Sequence, residues 1–137
     1  MDLMQSMNIS AGGMYAQSAR MRVAAENIAN ADSVESAEDG GQPYHAKQVY
    51  FKSFLNPKTG ATEVRVDRIT KDTVTPLVPV YDPSNKLANE KGYVMHPNVN
   101  QTIETVNMKD AQRAYEANMA ALTTARDMTA KTLEMLR

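Results

Sequence analysis

Two stretches with helical spacing, over about residues 4–31 and 99–137, enclose a middle that holds the prolines and the strand-like alternation. A chain arranged this way must bring its two ends together or give both to neighbours. In the first stretch Met4, Met7, Ala11, Met14, Ser18, Met21, Ala25 and Ile28 step alternately by three and four, the seam expected of a coiled-coil helix. In the second, Tyr115, Met119, Leu122, Thr129, Leu133 and Leu136 keep that alternation through a gap at Arg126. Ala111, Asn118, Ala125 and Thr132 widen the stripe, and Val99, Ile103 and Val106 extend it upstream. A helix of about 30 residues is about 45 Å long, so one partner helix covers only one side of it.

Little core is available to such helices. Leu, Ile, Val and Phe make up only 24 of the 137 residues, and the rest of the hydrophobic fraction is Ala, Met and Tyr. That is below the roughly 20% of bulky apolar residues at which disorder becomes plausible, while the net charge of −1 argues against a charge-driven disordered chain. The expectation is a marginal monomer of one domain whose ordering entropy is offset only when other subunits add burial.

Lys and Arg total 15 against 16 acidic residues, with no basic run, so a nucleic-acid or anionic-membrane partner has no electrostatic footprint. There is no cysteine, which removes disulfides, thiol nucleophiles and thiolate metal sites. The amino end has neither a basic start nor an apolar run of signal-peptide length, and no stretch reaches the roughly 20 apolar residues of a membrane span. Export, if it occurs, is expected to remove nothing.

Along the chain, Gly12-Gly13 implies either a first helix that starts late, with Ser10 as N-cap, or a close approach by another backbone. The helix is expected to end at Asn30-Ala31-Asp32, and residues 32–43, acidic and without a base, to form a mobile loop. Residues 46–55 are rich in β-formers, Asn56-Pro57-Lys58-Thr59-Gly60 signals a turn, and residues 62–67 alternate, so a hairpin is predicted. Residues 77–81, interrupted by Pro79, suit only a sheet edge. Residues 84–91 read as loop and 92–95 as a brief extended piece. Asn98 or Asn100 then caps the last helix. The fold class is α+β, with long terminal helices pairing as a coiled coil over residues 1–33 and 98–137, and a mobile loop and β-rich segment over 34–97.

No catalytic constellation emerges. His45 and His96 are the only histidines and read as loop or strand-end residues, Asp127 and Lys131 as a surface pair, and the glycines form no phosphate-binding loop. No enzyme, cofactor, metal or small-molecule substrate is expected.

Two motifs say more. The run Ala25-Glu26-Asn27-Ile28-Ala29-Asn30-Ala31-Asp32-Ser33 resembles the asparagine-rich N-terminal motif of bacterial flagellar rod and hook proteins. The run Gly92-Tyr93-Val94-Met95-His96-Pro97-Asn98-Val99-Asn100, with Glu104, Val106-Asn107-Met108 and Gln112-Arg113-Ala114-Tyr115-Glu116-Ala117-Asn118, is similar to the C-terminal signature of proximal rod subunits of the FlgC type. Both ends and the C-terminal half match well and the middle weakly; Glu26 stands where Asn or Ser is common, and Met and Ala replace bulkier seam residues.

The resemblance implies a rod subunit exported by the flagellar type III apparatus without cleavage, its terminal helices packed in an inner tube and its β segment outward. Its partners would be other copies of itself, other rod proteins and export-gate or base-ring components. It implies subunit contacts at Met7, Ala11, Met14, Met21, Ala25, Ile28, Met119 and Leu122, which plain intramolecular core would also explain. Asn27 and Asn30 are either C-cap residues or cross-subunit hydrogen-bonders. Arg113, Tyr115, Glu116 and Asn118 are expected to form a polar network with Tyr115 buried, and Asn98 and Asn100 to border the same interface. The competing reading is a secreted coiled-coil binding module, folded as a monomer or closed dimer; a hydrolase using His45 or His96 is a distant third.

Overall fold

The computed structural model describes residues 3–34 and 43–136, so most of the loop expected over 32–43 lies outside the described residues. The described chain is α+β: α1 (Leu3–Ala29), β1 (Lys47–Leu55), β2 (Thr62–Lys71), β3 (Val78–Tyr81), β4 (Tyr93–His96) and α2 (Gln101–Met135).

α1 runs unbroken through its glycine pair, so the late start at Ser10 is overturned: Ser10 is buried inside the helix. The reason is packing. A Cβ on Gly12 would sit 3.2 Å from the Val64 carbonyl oxygen of β2, and one on Gly13 would sit 2.9 Å from the Asn118 amide nitrogen of α2. The pair therefore admits a strand backbone on one side and a helix on the other, which offsets the cost of glycine in a helix.

The helices pack against each other in opposite directions. Asn118 lies against Gly13, while Gln101 at the start of α2 donates to the Asp32 carboxylate just after α1, at 3.1 Å. By that register Leu3 faces the neighbourhood of Met128, and α2 continues to Met135 with no described helix beside it. α1 packs against α2, β1 and β2, whereas α2 packs against α1 alone among the described elements.

The buried side chains are small. Apart from Val23 and Val94 the buried hydrophobic residues are alanines: 16, 19, 24, 31, 46, 111 and 125. The accessible surface is 9586 Å², against about 7,100 Å² for a compact monomer of this mass. Long, one-sided helices contribute to this large surface, α2 burying only Ala111 and Ala125.

β1 and β2 form the predicted antiparallel hairpin, with a bulge after Tyr50 and Gly60 at φ 67° in the turn. The sequence did not foresee that β3 pairs with β4, Val80 opposite Val94 and Tyr81 opposite Tyr93. Pro79 is tolerated because each strand of a two-stranded ribbon has a free edge. Gly92, at φ 79°, closes this ribbon: a Cβ there would meet the Tyr81 ring at 2.9 Å.

Candidate functional site

The two motifs that carry the resemblance converge on one polar junction where α1 ends, β1 begins and α2 is about to start. Asn27 is 1% exposed. Its Oδ1 accepts from the Lys47 backbone N–H at 2.8 Å and from the Tyr44 hydroxyl at 2.8 Å, and its Nδ2 donates to the Lys47 carbonyl at 2.9 Å. The amide thus pairs with β1 as a neighbouring strand would. The expected cross-subunit hydrogen bond is corrected for Asn27, whose side chain is occupied inside its own chain. Burial pushes the Tyr44 phenol above its ordinary pKa.

Asn30 closes the helix instead. Its Nδ2 donates to the Glu26 carbonyl at 2.7 Å, and its own carbonyl accepts from the Ser33 hydroxyl at 2.7 Å, the C-terminal capping role. Glu26 meets Lys47 at 2.8 Å, and this hydrogen bond raises the Lys47 pKa.

Asn98 makes the second half of the junction. Its Oδ1 accepts from Ala46 N–H at 2.7 Å, and its Nδ2 donates to the Asp72 and Thr75 carbonyls, each at 3.0 Å. It therefore ties the residue before β1 to the segment after β2 and does not cap α2; the cap is Asn100, which accepts from Thr102 and Ile103 N–H. The Asp72 carboxylate takes the Thr75 hydroxyl at 2.6 Å and the Val74 and Thr75 N–H groups, and these bonds, the hydroxyl first, hold its pKa below the usual carboxylate value. His45 lies against the Asp72 carbonyl at 3.1 Å, in a structural position. No group of three or more His, Asp or Glu side chains suited to a metal ion occurs among the described residues.

The second candidate surface is the helix pair. On α2 a covered stripe runs through Met108, Ala111, Tyr115, Asn118, Leu122, Ala125 and Thr129, an alternation of three and four, with Glu104, Thr105 and Ala114 half-buried beside it. Tyr115 is half-buried as the member that faces inward, and Asn118 donates to the Ala114 carbonyl of its own helix at 2.9 Å. Arg113 and Glu116 are exposed, and Glu116 accepts from Gln112 at 3.0 Å, so no network joins them to Tyr115 within the chain. Met119 is 40% exposed.

On α1 the buried positions are Ser10, Ala16, Ala19, Val23, Ala24 and Asn27. The expected seam is therefore displaced: Met7, Met14, Met21 and Ile28 are half-buried at its border, and Ala11, Ser18 and Ala25 are exposed. As plain intramolecular core that seam is corrected. Two layers, α2 and the hairpin, press on α1 from different sides, and both select small side chains over methionine.

Apolar side chains remain in solvent along this surface: Met4, Ile103, Val106, Met128, Leu133 and Leu136 are each more than half exposed. What the chain offers is a continuous, partly apolar helical face.

Comparison with known proteins places both ends. Residues 7–35 match the family described as flagella basal body rod protein, and residues 90–135 match the flagellar basal body rod FlgEFG protein C-terminal family. The chain is 42% identical over 137 residues to the flagellar basal-body rod protein FlgC of Buchnera aphidicola subsp. Schizaphis graminum, covering 98% of each. It is 42% identical over 135 residues to FlgC of Escherichia coli O157:H7, again covering 98% of each. With FlgC of Agrobacterium fabrum the identity is 39% over 129 residues, covering 94% of this chain and 91% of the relative.

Proposed function

The chain belongs to the FlgC family of flagellar basal-body rod proteins, and from that premise we infer that it is a structural rod subunit that polymerises through its terminal helices into the proximal part of the axial drive shaft and export channel. The observation that supports polymerisation is the imbalance between the helices and their cover: among the described elements α2 has one neighbour, and its apolar flank stands in solvent. Contacts repeated by each added copy would cover that flank and leave the assembly open-ended.

In this reading residues 1–33 and 98–137 form the helical core of the rod and residues 34–97 stand outward from it. Met7, Ala11, Met14, Met21, Ala25 and Ile28 face neighbours rather than α2, as do Arg113, Glu116, Met119 and the outer edges of Tyr115, Asn118 and Leu122. Asn30 and Asn100 act first as helix caps. Partners are other copies, other rod proteins and base components, and the role needs no catalysis, cofactor, nucleic acid, membrane insertion or small-molecule substrate. A secreted binding module is not favoured, since the likeness to rod proteins spans nearly the whole chain.

The test is removal of residues 119–137 in the native host. Loss of swimming and of filament assembly is expected; a truncated strain that swims would overturn the reading.

A further inference from the structure

The two outer edges of the hairpin meet different surroundings. Successive residues of a strand turn their backbone N–H and C=O to opposite sides. Ala46 and Asn56 point toward β2: the Ala46 carbonyl accepts from Asp72 N–H at 2.7 Å, and Asn56 N–H donates to the Ala61 carbonyl at 2.8 Å. Lys47 points away, and the Asn27 amide takes both of its backbone groups. Val49 and Phe51 share the parity of Lys47, so their groups face that same outer edge, where no described strand pairs with β1. The outer edge of β2, by contrast, has α1 against it at the Val64 carbonyl, beside Gly12.

The free edge of β1 opens into a cleft of about 470 Å³. α1 gives the cleft its floor through Val23 and Ala24, residues 47–50 form one wall, and Ile103, Glu104 and Asn107 at the start of α2 form the other. β1 and α2 do not touch across it. Toward Phe51 stands Arg20, its guanidinium 4.9 Å from the centre of the Phe51 ring and with no carboxylate partner among the described residues.

We propose that this edge is a strand-addition site: an extended segment of a different protein, with apolar side chains at alternate positions and a carboxylate at the Arg20 end, pairs antiparallel with Val49 and Phe51 inside the cleft. The site goes beyond the rod reading and does not rest on it. Regularly spaced N–H and C=O groups along an edge are satisfied together only by another extended backbone, and the Asn27 amide already reproduces one rung of that pairing. The edge is recessed behind α2, so the same edge of a second folded copy cannot reach it, whereas a bare segment can enter. Inward side chains of that segment meet Val23 and Ile103, which selects apolar residues, and the unpaired Arg20 selects an acid.

The probe is a blocked peptide of alternating threonine and valine whose first valine is replaced by glutamate, titrated into the isotopically labelled full-length chain. Amide exchange at Val49 and Phe51 should slow by about tenfold at saturation. Val49→Pro removes an edge N–H that β2 does not use, so the hairpin persists while peptide affinity falls by about tenfold or more. Leu55→Pro, on the same edge but outside the cleft, should bind as the parent does. Arg20→Glu should weaken the glutamate peptide and favour its lysine analogue. The unaltered chain supplies a second measurement should Val49→Pro not fold: N-methyl groups on the peptide residues that face β1 abolish binding, and N-methyl groups on the alternate residues spare it.

Unchanged exchange at Val49 and Phe51 with peptide in excess overturns the proposal, as does equal loss from the two proline variants or equal loss from the two methylated peptides. Slowing that appears without peptide and grows with protein concentration makes a second copy the occupant and overturns it too.

Discussion

α1 and α2 are both long helices with thin apolar faces, yet one is enclosed and the other is not. α1 lies between α2 and the β1–β2 hairpin and buries six residues; among the described elements α2 leans on α1 alone, and it buries Ala111 and Ala125. Amphipathic pattern is therefore a poor guide to how much cover a helix receives. Position in the layer order decides it, and α1 holds the middle layer, with glycine on both of its contact sides.

That contrast can be broken by mutation. The largest effect is expected for Asn27→Leu, which strands the Tyr44 hydroxyl and both backbone groups of Lys47: about 3 kcal/mol of unfolding free energy should be lost in urea titration. The matching change on the one-sided helix, Asn118→Leu, removes a bond within its own helix and should cost no more than about 1 kcal/mol. Equal losses would erase the distinction between the helices.

Gly12→Ala comes next. In an open helix this change stabilises by about 1 kcal/mol. Here the added carbon meets the Val64 carbonyl oxygen at 3.2 Å, and a net destabilisation of about 1 kcal/mol is expected from the strain. A raised melting temperature would show that the hairpin does not press on α1.

Acid should act on the junction before it acts on the helices. The folded-state pKa of Asp72 is depressed, so its contribution is complete above the ordinary carboxylate pKa and is lost as pH falls through the lowered value. Asp72→Asn should therefore flatten the acid limb of the stability curve, most visibly by near-ultraviolet signals from Tyr44 and Tyr50. The smallest effect belongs to Leu133→Ser: in the dilute single chain its unfolding free energy should stay within about 0.5 kcal/mol of the parent.

The sequence made the hairpin, the last helix and its cap legible, because alternation, a turn cluster and an asparagine before a periodic run are local signals. It did not show which face of α1 would be covered. Met7, Met14 and Met21 are among the bulkiest members of the apolar stripe and by size alone the natural core, but a helix with two neighbours selects Ala16, Ala19 and Ala24 instead. The β3–β4 pairing was hidden because Pro79 argued against a strand, and four-residue strands carry too little pattern to reveal a partner. Asn27 and Asn98 were marked by the motifs, yet their roles depend on Lys47, Ala46 and Asp72, residues distant in sequence.

The alanine interior carries one thermodynamic consequence. Heat capacity rises on unfolding in proportion to the apolar surface that meets water, and an average chain of this length would show an increase of about 1.6–2.1 kcal/mol/K. A molecule whose interior is mostly methyl groups has less to reveal. Its calorimetric step should fall below that range, and its stability should change gently between cold and warm surroundings.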